Sequence, residues 1–134
     1  MNEEPKLIAA IVCEDVLANP SGRLTLHNIF QDLTASGFPA AIERLHVVTV
    51  WHNPNEQEEH TVLQVAIVSA DGTPIGIAAV SFTIAPGAYH TQISRFQGLV
   101  LPGPGKYQVQ VQRGSQMVCD LSLMVTSTMM QEGV

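Results

Sequence analysis

Apolar and polar positions alternate along much of this chain, and turn residues interrupt the alternation at short intervals. In Lys106–Arg113, Tyr107, Val109 and Val111 alternate with Gln108, Gln110 and Gln112. In Met117–Val125, Met117, Cys119, Leu121 and Leu123 alternate with Val118, Asp120, Ser122 and Met124. A period of two sends one row of side chains to a core and the other to solvent, which is the signature of a half-buried β-strand. Leu63, Val65 and Ile67 form such an inner row in His60–Val68, and Ala78, Val80, Phe82 and Ile84 form one in Gly76–Ile84. Further strands are expected at Leu7–Cys13, Arg23–Phe30, Leu45–His52 and His90–Leu101. Between the runs lie turn clusters such as Asn19-Pro20-Ser21-Gly22, Asn53-Pro54-Asn55, Asp71-Gly72 and Gly114-Ser115-Gln116, the last two closing hairpins. The pattern predicts an all-β, two-layer antiparallel sandwich of about eight strands, immunoglobulin-like in architecture.

Two strands depart from simple alternation. Leu7–Cys13 is apolar on both rows. Leu45–His52 carries Leu45, Val47, Thr49 and Trp51 on one row and His46, Val48, Val50 and His52 on the other. A strand apolar on both rows is covered on both faces. The Gln31–Arg44 connection, with Leu33, Phe38 and Ile42, is short and broken by Gly and Pro, so it covers the second row only in part. Val48 and Val50 are therefore expected to meet a second copy of the chain, making a two-fold homo-oligomer. A change of phase between Ile93 and Phe96 predicts a bulge near Ser94-Arg95. Pro39–Leu45, with its leading proline, is the one stretch expected to hold a helical turn.

The length of 134 residues fits a single domain, with a core expected over 6–125 and a frayed tail over 126–134. Six Lys and Arg stand against twelve Asp and Glu, for a formal charge of −6, and no basic residues cluster in sequence. Nucleic-acid binding and adhesion to an anionic membrane both draw on such clusters, so neither partner is expected. Charged residues make up 13% of the chain against about 25% in ordinary domains, which also points to buried surface. Cys13 and Cys119 form no CxxC pair and sit in apolar contexts, so they read as core hydrophobes. The N-terminal MNEEPK is acidic and polar, without the pattern of a secretory signal, and the longest apolar run is Leu7–Cys13. A cytoplasmic location follows as the expectation.

Several stretches together are similar to a family of small bacterial proteins classed only as a domain of unknown function. They are CEDV (Cys13–Val16), SGRLTLHNIF (Ser21–Phe30), FPA (Phe38–Ala40), VVTVWH (Val47–His52) and the turn at Asp71-Gly72. PGKY (Pro104–Tyr107) followed by VQVQ resembles a late strand of immunoglobulin-like sandwiches, where the tyrosine packs inward. The resemblance implies a two-sheet sandwich over most of residues 7–125, and it carries no activity or functional residue.

Candidate chemistry centres on the histidines. His46 and His52 share one row, and His60 opens the next strand beyond a loop holding Glu56, Glu58 and Glu59. If the two strands form a hairpin, His52 and His60 come close at its end. His46, His52, His60 and Glu56 are then a candidate metal set, since imidazole and carboxylate bind zinc and other divalent ions. A solvated hairpin tip explains the same residues. Cys13-Glu14-Asp15 places acids beside a thiol, which disfavours the thiolate. Gly103-Pro104-Gly105 lacks the spacing and the following helix of a phosphate loop. No catalytic motif is found and no cofactor is implied. The sequence is read as a non-enzymatic binding or assembly module that self-associates, with a metal-dependent protein built on the 52–60 loop as the rival.

Overall fold

A computed structural model describes residues 4–128. Nine strands are present: β1 (Lys6–Ala18), β2 (Leu24–Ile29), β3 (Asp32–Ala35), β4 (Ala40–His52), β5 (Glu59–Val68), β6 (Pro74–Ile84), β7 (Tyr89–Leu101), β8 (Gly105–Arg113) and β9 (Gln116–Ser127). They form a four-stranded sheet ordered β2-β1-β4-β7 and a five-stranded sheet ordered β3-β9-β8-β5-β6. All neighbours are antiparallel except β3, which runs parallel to β9. The architecture is all-β and two-layered, as the alternation of residues predicts. Among the described residues no helix is long and apolar enough to cross a membrane.

Most inner rows behave as their sequence implies; in β9 a register shift against β8 leaves Met117 exposed and packs Val118 against the core instead. Leu63, Val65 and Ile67 of β5 and Val109 and Val111 of β8 are fully buried. They meet Leu45, Val47 and Trp51 of β4 across the sandwich in one core cluster. The Trp51 indole N–H donates to the Thr49 hydroxyl at 2.9 Å, so the buried ring keeps its polar atom satisfied. Tyr107 packs inward at 1% exposure, and its hydroxyl donates to the Gly103 carbonyl at 2.6 Å. The β5–β6 hairpin turns at Asp71-Gly72, where Gly72 has a φ of 89°. There the Ser69 hydroxyl and the Thr73 backbone N–H both donate to Asp71 and hold its carboxyl below the ordinary carboxylate range.

Four expectations need correction. Pro39–Leu45 is not helical, because β4 begins at Ala40 and pairs at once with the end of β7, Ala40 opposite Leu101. The short segment Asp32–Ala35 is a strand, which raises the count to nine; four residues are too few to display an alternation. β7 has no bulge at Ser94-Arg95, since its register with β4 runs from Ala40–Leu101 to His52–Tyr89 without a shift. The apparent change of phase has another cause: Phe96 joins the sandwich core, whereas Ile93 sits on the opposite face, beneath a second apolar cover. Finally, β9 runs through Thr126 and Ser127, paired with Thr34 and Ala35, so these first two residues of the expected tail are held in the sheet. Its remainder, 129–134, lies outside the described residues.

Candidate functional site

The end of the molecule that holds His52 and His60 is not a hairpin tip. β4 belongs to one sheet and β5 to the other, so residues 53–58 arch between the layers. The arch is organised by Asn53, which is fully buried. Its side-chain amide donates to the carbonyls of Gln57 at 2.9 Å, Ile84 at 3.0 Å and Ala85 at 3.3 Å. Its side-chain oxygen accepts the Asn55 backbone N–H at 2.9 Å. One residue thus ties the 53–58 arch to the β6–β7 connection. The sequence marked this position only as part of a turn; a lone Asn before Pro gives no sign of burial.

The candidate metal set is dispersed by this arrangement. His52 stacks on Tyr89 with ring centroids 4.5 Å apart. His60 lies on the other sheet, with Nδ1 3.3 Å from the Thr83 hydroxyl. His46 is buried six residues up the same strand from His52, roughly 20 Å away at about 3.3 Å per residue. Its Nδ1 lies 2.9 Å from the Glu14 carbonyl oxygen, a contact that fixes the ring against β1. Glu56 sits in the arch. Among the described residues, no three His, Cys, Asp or Glu side chains converge as a metal would require.

Val48 and Val50 do lie on the face turned away from the main core, as expected. Their cover comes from the chain itself. Beyond Cys13, β1 leaves β4 and continues as a hairpin arm with β2, Val16 pairing with Leu26 and Ala18 with Leu24. The arm curls back over the sheet, and Leu24 and Leu26 face Ile11, Val48, Val50 and Ile93 across a groove of about 470 Å³. Arg23, Gly22 and Thr91 complete its lining. Val48 is only 3% exposed within the single chain, and Val50 is half-buried. The arm is anchored by the Arg44–Asp15 ion pair at 3.4 Å and by the contact of His46 with Glu14. A strand long enough to pair first with β4 and then with β2 carries no sequence mark of its bend, so the sequence points to a second copy of the chain, with the 31–44 connection as a partial cover, rather than to this arm.

Both thiols are free. Burial pushes the Cys13 thiol up from its ordinary range, and the neighbouring Asp15 charge pushes it further. Burial likewise raises Cys119, with Asp120 adding to the effect. Neither has the environment of a reactive thiolate.

The edges of the sheets differ in how they are protected. β3 is short. β2 is folded into the arm, and β7 carries Arg95. Among the described residues β6 bounds the five-stranded sheet and pairs with β5 alone, and it has no charged residue over its 11 positions. Its Ala78 and Val80 pack against the core cluster yet remain half-exposed, at the rim where β6 meets β7 of the other sheet. On the outer row of this edge Ile77 is 58% exposed, and Val62 of β5, opposite Ser81, is 53% exposed.

The sequence over residues 8–126 matches the Family of unknown function (DUF6941). The chain belongs to that family. No curated protein matches it. Among solved structures the family member is similar to the Pseudomonas fluorescens alkylpurine DNA glycosylase AlkC bound to DNA containing an abasic site analog. The TM-score is 0.59 at 13% identity, over 93% of this chain and 31% of that one. It is also similar to a beta-glucosidase from Listeria innocua in complex with isofagomine, at TM-score 0.58 and 16% identity, over 92% of this chain and 16% of that one. For the Beta-D-glucoside glucohydrolase from Trichoderma reesei the TM-score is 0.54 at 14% identity, over 91% of this chain and 19% of that one. The chain thus spans less than a third of each of these proteins, and at such identities the likeness is one of fold.

Proposed function

We propose that this family member is a non-catalytic binding and assembly module of the cytoplasm that associates with itself. The observation that carries the reading is β6. Folded proteins blunt their sheet edges with charges, prolines, bulges or covering loops, because unpaired backbone N–H and C=O groups recruit other strands. From Gly76 to Ile84 the β6 edge has no charge, no proline and an unbroken register with β5. An edge left in this state is suited to strand addition. The Val48 and Val50 face is no longer the preferred contact, since the β1–β2 arm already covers Val48.

We also read the sandwich as immunoglobulin-like. Two features support this. The order β9-β8-β5-β6, with a short strand parallel to the last one, matches the sheet that carries the later strands of that fold. The Tyr107 hydroxyl bonds back to Gly103 at the start of β8, in the manner of a tyrosine corner. Such sandwiches place binding in end loops and free edges rather than in a buried catalytic cleft.

Sedimentation equilibrium from about 1 to 100 μM, the range in which one edge-sized interface is expected to be read, tests the reading. The expected mass rises with concentration above the 14.5 kDa of one chain. A constant mass of one chain throughout refutes self-association.

A further inference from the structure

We infer that two copies join β6 to β6 in antiparallel fashion about a two-fold axis at Ala79, fusing the five-stranded sheets into one of ten strands. The inference rests on the self-association just proposed and specifies its surface and register. Three observations carry it: the sequence of the edge, its half-covered inner row, and the exposed residues beside it.

An isologous contact requires a surface complementary to itself. With Ala79 on the axis, Ala78 of one copy lies opposite Val80 of the other, Ile77 opposite Ser81, and Gly76 opposite Phe82. Each pair sets a small side chain beside a larger one, and no like charges meet, since 74–84 has none. Opposite residues also share a face. Gly76, Ala78, Val80 and Phe82 belong to the inner row, while Ile77, Ala79 and Ser81 are exposed on the outer row. The same register serves both rows, as it must where one face is buried.

The contact completes what the single chain leaves open. Ala78 and Val80 already touch the core cluster and remain half-exposed. A neighbouring strand would close the core over them on each side of the axis. On the outer face, Ile77 of one copy comes to lie beside Ser81 of the other, with Val62 one strand further on. The two most exposed aliphatic side chains of this edge, at 58% and 53%, thereby enter one shared strip. Peptides from other proteins would find the same backbone groups. The two-fold match of side chains is what favours a second copy.

Ala79 is exposed, so a charge there spares the fold and strikes the axis. Ala79→Lys and Ala79→Glu each place two like charges directly opposite one another, which destabilises a strand pair. Each variant should dissociate about five-fold more readily than the unsubstituted protein, with an unchanged circular dichroism spectrum and urea midpoint. An equimolar mixture of the two should recover the dimer as a heterodimer. Ala79→Cys should form an intermolecular disulfide on mild oxidation, since paired strands hold opposite Cα atoms about 4.5–5.5 Å apart. Association of Ala79→Lys with the unsubstituted constant overturns the β6 contact and leaves self-association standing. A failure of the mixture to associate also overturns it. A monomeric unsubstituted protein overturns both readings.

Discussion

Replacing Asn53 with alanine tests how much of the arch end of the molecule depends on one side chain. The amide makes two well-placed bonds, at 2.9 Å to Gln57 and 3.0 Å to Ile84, and a longer one at 3.3 Å to Ala85. Its oxygen accepts a fourth bond at 2.9 Å from Asn55. A buried neutral hydrogen bond contributes about 1 kcal/mol net, and an orphaned buried partner costs about 1–3 kcal/mol. Two of the good bonds at about 1 kcal/mol each, and the third counted at about 1–3 kcal/mol because it leaves a carbonyl without its donor where Ile84 is buried, give a loss of about 3–5 kcal/mol for Asn53→Ala. A domain of this size is stable by about 5–15 kcal/mol, so the variant still folds at 25 °C. Urea unfolding followed by Trp51 fluorescence reads the change as a lower midpoint with an unchanged slope. Asn53→Asp is the sharper variant. It sets a carboxylate against up to three carbonyl oxygens, and that carboxyl is protonated more readily in the folded than in the unfolded state. Its folded-state pKa is therefore raised, so Asn53→Asp should lose stability as pH rises through that value and regain it on acidification. A loss below about 1 kcal/mol for Asn53→Ala, or no pH dependence for Asn53→Asp, would refute the role given to this residue.

Two further outcomes follow from the interior. The Thr61 hydroxyl is buried without a hydrogen-bond partner among the described residues, so Thr61→Val, which keeps the shape, should raise stability by about 1 kcal/mol; a lower urea midpoint would show that the hydroxyl does have a partner. Burial raises both thiols, so the stability they contribute is present at neutral pH and is lost only as pH climbs above the ordinary thiol range. At pH 7 both should be alkylated slowly in the folded protein and rapidly in urea, and fast labelling of folded Cys13 would contradict its burial.

What the sequence disclosed depended on whether one residue row alone decided the outcome. β5, β6, β8 and β9 were legible within one or two residues because β5, β6 and β8 have clean inner rows and the turns at Gly72 and Gly114 separate the strands. The register shift that exposes Met117 of β9 and packs Val118 against the core left no mark in the alternation. β4 and β7 were legible as strands, but not in their details. Both of their faces are covered, so Val48 and Ile93 carry as much apolar character as Leu45 and Phe96. The alternation then cannot say which cover is the main core and which is the arm. The candidate metal set failed to assemble for a related reason. Spacing along the chain placed His52 beside His60, but whether two successive strands make a hairpin or an arch is decided by which sheets they join. That choice is made by distant pairings, β4 with β7 and β5 with β8. The two residues that organise the candidate surfaces, Asn53 and Ala79, are each unremarkable in sequence. Their importance comes from what surrounds them.

The parallel pairing of β3 with β9 has a consequence for the order in which the molecule is made. Asp32 meets Met124, and β3 has no other partner in its sheet. During synthesis at roughly 5–20 residues per second, β3 emerges on the order of 5–20 s before the strand it joins. The β8 edge that β9 takes is bare only briefly, since β9 follows β8 directly in the chain. The five-stranded sheet still stays incomplete on one side until β9 arrives. β9 therefore acts as the clasp that ends the wait of β3 and closes the bare edge of β8.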